Sequence, residues 1–257
     1  MLTEQRARIA TGNRRFLPSG TLPGLAGGGA ILALLALVAV ILTPASPAAV
    51  FLALGLYTAA ATVAGLRIGV FHPHPVFGLA NAVTLGRLMS VSLLAGAAVE
   101  IPALMQAFGD AVAWVLAGLA LLTLSLDGLD GWAARRRGLC SAFGARFDME
   151  VDSLLALVLA ALAVGQGTVG AWLFTVPAMR YVFVGAGIVW PVLTRPLPPS
   201  FRRKAVCVVQ LGVLTALLVP PVHGAVAQLL GGVALMAVAA SFAVDLRWLL
   251  TTGRRTA

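Results

Sequence analysis

Residues 26–66 read AGGGAILALLALVAVILTPASPAAVFLALGLYTAAATVAGL, two apolar runs with no charged side chain, parted by Thr43-Pro44-Ala45-Ser46-Pro47. A bilayer hydrocarbon core about 30 Å thick is crossed by roughly 20 apolar residues in a helix. This stretch therefore predicts two membrane helices joined by a Pro-rich turn. The pattern continues along the chain: apolar runs at about 26–43, 48–66, 81–99, 111–127, 146–165, 169–192, 205–221 and 224–249 predict eight spans. The breaks between them include His72-Pro73-His74-Pro75, Arg195-Pro196-Leu197-Pro198-Pro199 and Pro220-Pro221.

Composition agrees. The chain of 257 residues is 60% hydrophobic and 11% charged, with a mean hydropathy of +0.98. A soluble domain is roughly 45–50% apolar and about 25% charged, and disorder requires low hydrophobicity with high charge. The expected class is all-α, a polytopic helical membrane protein. A net charge of +9 raises nucleic acid as a partner, but the arginines fall in small groups between apolar runs and form no continuous face along a phosphate backbone. Cys140 and Cys207 lie far apart beside basic segments, so reduced thiols are expected.

The placement of the basic residues sets the orientation. Arg6, Arg8, Arg14 and Arg15 precede the first run, Arg67 follows the second, Arg135–Arg137 follow the fourth, Arg195 and Arg202–Lys204 separate the sixth and seventh, and Arg254 and Arg255 close the chain. The alternate loops, around 44–47, 100–110, 166–168 and 220–223, hold no Lys or Arg. The positive-inside rule then puts both termini and every basic loop in the cytoplasm of an inner-membrane protein. The first run is read as a span and not a signal peptide, because a leader of about 25 residues is too long for the usual n-region.

Five of the nine acids, Asp127, Asp130, Asp148, Glu150 and Asp152, fall within one window of 26 residues. Acids at membrane depth are expensive and point to function. Asp127 and Asp130 are three apart and Asp148 and Asp152 four apart, so each pair shares a helix face. A short connection makes the two helices antiparallel neighbours with both pairs at the cytoplasmic end. Four carboxylates gathered in partly dry surroundings repel unless cations lie between them. Oxygen donors suit hard divalent ions, Mg²⁺ or Mn²⁺. Gly128, Gly131, Ala133 and Ala134 leave one helix surface bare beside these acids, as small residues also do in ordinary membrane-helix packing.

Together the residues spell Asp127-x-x-Asp130-Gly131-x-x-Ala134-Arg135, eight residues, then Gly144-x-x-x-Asp148-x-x-x-Asp152. This resembles the signature of the CDP-alcohol phosphotransferase family at all eight defining positions. Asn81-x-x-Thr84-x-x-Arg87 and the series Ser200, Lys204, Gln210 resemble flanking patterns of that family. The resemblance implies a basic leader over 1–25, two additional helices and their loop over 26–78, a six-helix catalytic domain over 79–250, and a tail over 251–257. It implies displacement of CMP from a CDP-linked donor, CDP-diacylglycerol before a soluble CDP-alcohol, by a small alcohol acceptor in phospholipid synthesis. By the same resemblance Asp127, Asp130, Asp148 and Asp152 hold two divalent ions, and Asp152 is also the general base. Asn81, Thr84, Gly131, Ala134, Arg135 and Gly144 line the cytidine diphosphate pocket. Relatives are often homodimers, which adds a second copy to the implied partners, beside membrane lipids.

Arg180, in the middle of the sixth run and three residues after Pro177, suggests a kinked helix whose arginine meets an anion or Glu150. With Arg203 or Lys204 it is a candidate for holding an acceptor phosphate, and a polyol phosphate such as glycerol 3-phosphate leads as acceptor. Ser153, directly after the last signature Asp, departs from the Lys or Arg that such relatives usually carry. An Asp-Ser ending is more like choline and ethanolamine phosphotransferases, the alternative reading. Glu150 is expected to pair with Arg146 one turn earlier. His72 and His74 are read as interfacial loop residues and the tryptophans as interface anchors. Two rival functions carry less: a UbiA-type prenyltransferase keeps its Asp-rich motifs in separate halves of the bundle, and a cation transporter typically shows inverted repeats, absent here.

Overall fold

The structure, a computed structural model, describes the backbone of residues 17–137 and 141–253, and the side chains of all these except 128–137, 252 and 253. Among the described residues nine α-helices follow in order: α1 Thr21–Leu42, α2 Pro47–Phe71, α3 Leu79–Val99, α4 Ile101–Phe108, α5 Asp110–Arg137, α6 Ala142–Gly165, α7 Thr175–Val189, α8 Phe201–Ala216 and α9 Gly224–Gly253. Two 3₁₀ turns, Ala171–Phe174 and Pro191–Thr194, flank α7. No strand occurs among the described residues. Six segments are long and apolar enough to cross a membrane: α1, α2, α3, Asp110–Asp127 of α5, Ala171–Val189 and Gly224–Thr251. The protein is a polytopic helical membrane protein, and its eight longer helices correspond to the eight apolar runs.

Six segments, not the expected eight, meet the length and hydropathy of a span: α6 carries Arg146, Asp148, Glu150 and Asp152, and α8 has 16 residues. The other differences lie at the boundaries. The loop expected at 100–110 contains the short helix α4, opened by Pro102 in its first turn, where a missing N–H leaves no bond unmade. The run 169–192 is not one helix kinked at Pro177. A 3₁₀ turn leads into α7, and Pro177 lies in the first turn of α7, where proline fits without bending the axis. The seventh helix starts four residues early, behind Ser200, and ends at Ala216, ahead of Pro220-Pro221, whose rings exclude continued helix.

α3 is the centre of the bundle, packed against α1, α2, α5 and α6. α6 is buried on one stripe at its start, through Phe143, Phe147 and Val151, and almost all round from Leu155 to Ala163. α1 and α2 lie along α3, tied by the Tyr57 hydroxyl, which donates to the Leu25 carbonyl at 2.7 Å. The outer surface is apolar: Phe51 is 76% exposed and Ile188 84% exposed, the inverse of a soluble protein and suited to lipid contact.

With lipid on one side and protein on the other, helix association rests on close packing. Gly96 of α3 shows how close: a Cβ there would lie 2.8 Å from the Ala49 carbonyl oxygen of α2. A Cβ at Gly55 of α2 would meet nothing within 4 Å. Gly96→Ala is therefore expected to destabilise the protein by about 1–3 kcal/mol through overpacking, whereas Gly55→Ala leaves stability equal or slightly higher through helix propensity. Thermal unfolding of both variants in detergent checks this; equal behaviour would contradict the tight α2–α3 seam.

Candidate active site

Three helices deliver one charged cluster. Asp127 comes from α5, Asp148 and Asp152 come from one face of α6, and Arg87 comes from α3. The Arg87 side chain is 0% exposed, against 30% for Asp127, 34% for Asp148 and 16% for Asp152. Its Nη1 donates to Asp127 Oδ1 at 2.8 Å and also to Asp148 Oδ1. Its Nη2 donates to Asp152 Oδ1, and its Nε to the Thr123 carbonyl at 3.2 Å. A guanidinium presents its N–H groups in a fixed planar fork, so Arg87 sets both the spacing of the carboxylates and their depth. Thr123 is itself buried, one helical turn before Asp127, and its hydroxyl donates to the Leu119 carbonyl at 2.7 Å.

One oxygen from each of Asp127, Asp148 and Asp152 lies within 4.8 Å of the others, so the trio can hold a metal ion. The donor set is carboxylate oxygen, which suits a hard cation. Among these four side chains one positive charge faces three negative ones, so further positive charge is favourable here. Asp152 Oδ2 faces the thiol of Cys207 on α8 at 4.0 Å, and Cys207 is a free cysteine. Cys140 lies outside the described residues.

Of the residues expected to line a nucleotide pocket, Asn81, Thr84 and Gly144 come together beside this cluster. Asn81, Thr84 and Arg87, three residues apart on α3, are all buried. The Asn81 amide donates to the Phe77 carbonyl, and a Cβ at Gly144 would come within 3.1 Å of Asn81 Oδ1, so a larger residue there would have to displace the Asn81 side chain by a few tenths of an ångström. Ser141 caps α6 by accepting from the Gly144 N–H at 3.0 Å. The side chains of Asp130, Gly131, Ala134 and Arg135 lie outside the described residues; their backbone continues α5.

The acceptor candidates fare differently from one another. Arg180 of α7 pairs with Glu150 of α6 at 2.7 Å, so Glu150 reaches across to the neighbouring helix and not back to Arg146 as expected. An i, i−4 pair is worth a few tenths of a kcal/mol on an exposed helix, little against a contact that joins two helices. Arg203 is drawn to Asp245 of α9 at 3.1 Å and donates to the Pro198 carbonyl, while Arg202 donates to Asp245 and Ser241. Lys204 is exposed on α8.

A family model described as CDP-alcohol phosphatidyltransferase matches residues 77–244. The chain belongs to that family. Its members transfer a phosphate-linked group from a CDP-alcohol to an acceptor, so the protein is an integral membrane transferase with an alcohol-type acceptor. No solved structure matches the chain. The cluster of Arg87 and the three aspartates lies wholly inside the matched segment, as do the Asn81–Gly144 contact and the Arg180–Glu150 pair.

Arg87 is the residue that reasoning on acids underweighted. It stood only as the end of an Asn-Thr-Arg pattern, yet a lone arginine inside an apolar run carries the same signal as a lone acid. Asp245, 6% exposed in the last helix and clamped by two arginines, was missed for the same reason. Removing one partner from a buried ionic group costs about 3–5 kcal/mol. Arg87→Met of this transferase is expected to lose stability on that scale, read as a lower unfolding temperature in detergent. Added Mg²⁺ should raise the unfolding temperature of Arg87→Met more than that of wild type; an equal Mg²⁺ shift would contradict the charge balance described.

Proposed function

We propose that the protein transfers a phosphatidyl group from CDP-diacylglycerol to an alcohol, with release of CMP, in phospholipid synthesis. The observation that carries the reading is the cluster of Asp127, Asp148 and Asp152 on two consecutive helices, inside a segment of the family and beside a buried Asn81–Gly144 contact. A nucleotide bearing lipid tails also suits a site built at one end of a membrane bundle. The cluster sits at the end that leads into the Arg135–Arg137 segment, which the positive-inside rule assigns to the cytoplasm.

Asp127, Asp148 and Asp152, joined by Asp130, would hold Mg²⁺ or Mn²⁺, with two ions the expected number. Such ions supply charge neutralisation on a diphosphate and on the oxygens that attack and leave. The acceptor oxygen forms a bond to the phosphorus that carries the diacylglycerol, and the bond from that phosphorus to the oxygen of CMP breaks. Asp152 takes the hydroxyl proton at Oδ2, the oxygen 4.0 Å from the Cys207 thiol. Its strength as a base comes from placement, since a carboxylate beside cations is weakly basic. Arg87 holds Asp152 Oδ1 and so fixes the rotamer from which Oδ2 works. Asn81, Thr84, Gly131, Ala134, Arg135 and Gly144 line the nucleotide pocket in this reading.

A polyol phosphate, with glycerol 3-phosphate as the leading case, is the proposed acceptor. Of Arg180, Arg203 and Lys204, the first two are committed to Glu150 and Asp245. Lys204, exposed one residue beyond that clamp, is the cation best placed to meet an acceptor phosphate, with Arg180 able to exchange Glu150 for it. One observation favours an amino-alcohol acceptor instead: Ser153 stands where phosphate-using relatives carry a cation. Its hydroxyl donates to the Met149 carbonyl at 2.8 Å and the residue is buried.

The test is CMP release by the purified protein with Mg²⁺ and CDP-diacylglycerol across glycerol 3-phosphate, inositol phosphate, serine and choline. Release with glycerol 3-phosphate is expected. Release with choline alone would move the assignment to the amino-alcohol class, and silence with all four would overturn the phosphatidyl reading. Asp152→Asn is expected to lower kcat by about 10²–10⁴ while CMP still binds. Activity that survives rigorous chelation by EDTA would contradict the metal requirement.

A further inference from the structure

Among the described residues, His72 links the two helices ahead of the family segment to the first turn of α6 by a side-chain hydrogen bond. His72 caps α2 and begins the His72-Pro73-His74-Pro75 turn, five residues before the family match starts at 77. Its Nε2 is 2.9 Å from the Val76 carbonyl and its Nδ1 is 2.9 Å from Ser141 Oγ. A carbonyl only accepts, so Nε2 carries the proton and Nδ1 is the acceptor. The Ser141 hydroxyl must then donate to His72 Nδ1, which turns its lone pairs toward the Gly144 N–H at 3.0 Å. Gly144 in turn is packed on Asn81 Oδ1. Burial and the neighbouring His74 push the His72 imidazole below its ordinary value, in keeping with the neutral ring this chain of bonds needs.

The turn that carries His72 is braced from both sides. On one side, Ser19 donates from its backbone N–H to the Pro75 carbonyl at 2.8 Å, and its own carbonyl accepts from the Phe77 N–H at 3.0 Å. On the other, the ring of Phe143 meets His72 edge-on at 6.1 Å between centroids and stacks on Phe147 at 5.7 Å. Asp148 follows Phe147 directly, so the same turn of α6 that His72 steadies leads into the carboxylate cluster.

We propose that His72, supplied by the additional helices, is a positioning residue for the cytidine diphosphate pocket, holding Ser141 and thereby the first turn of α6 against Asn81. This rests on the reading of Asn81 and Gly144 as pocket residues. It gives α1 and α2 a part in substrate binding: they anchor the turn from which His72 reaches the core.

The test compares wild type, His72→Ala, His72→Asn, His72→Gln, Ser141→Ala and the His72→Ala/Ser141→Ala double variant of the full chain in detergent. Each is measured for CMP dissociation constant, for KM of CDP-diacylglycerol and kcat, and for unfolding temperature. One hydrogen bond of this kind corresponds to about a 3- to 10-fold change in an equilibrium constant. His72→Ala is expected to weaken CMP binding and raise the donor KM by that factor, with kcat within about twofold. His72→Asn, whose amide oxygen can stand where Nδ1 stands, should restore most of the affinity, and His72→Gln should not. The double variant should bind CMP no more weakly than the weaker single variant. Unchanged CMP binding in folded His72→Ala, a loss in kcat alone, or failure of His72→Asn to outperform His72→Gln would overturn the positioning role. If His72→Ala does not fold, the Asn-against-Gln comparison decides. A wild-type chain that binds no CMP would instead overturn the nucleotide pocket itself, and with it this role.

Discussion

A buried guanidinium among three carboxylates is the constraint on which the arrangement of the bundle depends. Arg87 has no water to solvate it, and three acids brought within a few ångströms repel one another at membrane depth. Neither half is tolerable alone. The pairing requires α3, α5 and α6 to meet at one level, because the fork of Arg87 reaches the two acids of α6, Asp127 and the Thr123 carbonyl of α5 at once. α3 consequently occupies the middle of the bundle. The close contacts around it, Gly96 against Ala49 and Gly144 against Asn81, let neighbouring backbones approach at the required distance. Fold and site are one construction here: the same ion network that sets helix register also lays out the oxygen donors.

Much of this could be read from the amino-acid order, and the parts that could not have physical reasons. Each of the eight apolar runs corresponds to a helix, and six of them supply segments long and apolar enough to cross a bilayer. The spacing of Asp127, Asp148 and Asp152 placed them together because helix periodicity and a short connection leave little alternative. α4 escaped because eight residues are too few to show a span, even though Gln106 is its only polar side chain. Pro177 misled because a proline in an apolar run reads equally as a kink or as a first turn, and only the 3₁₀ turn before it separates the two. Pairings across helices were the least legible. The Arg180–Glu150 pair, thirty positions apart, was open to expectation as one of two partners for Arg180, but the pairing of Arg203 with Asp245, near the far end of the next helix, follows from no local rule.

The charged pairs outside the centre divide the remaining cations. Asp245 draws Arg202 and Arg203 onto α9 and so fixes α8 against it, which gives the basic first turn of α8 a structural share alongside any contact with substrate. Glu150 holds Arg180 at the edge of the cluster, where an anionic group arriving from solution would compete for the same guanidinium. The additional helices α1 and α2 contribute through packing on α3 and through the turn at His72. They lie outside the family segment.

The central claim is that Asp127, Asp148 and Asp152 form a divalent-cation site clamped from behind by Arg87. Titration of the metal-free protein with Mn²⁺, followed by electron paramagnetic resonance, addresses it without relying on turnover. The account predicts saturable binding, up to two ions per chain, that is lost when Asp127, Asp148 and Asp152 are replaced together by Asn in a protein that remains folded. Saturable binding of the same stoichiometry in that triple variant, or none in a wild-type chain that releases CMP, would contradict it.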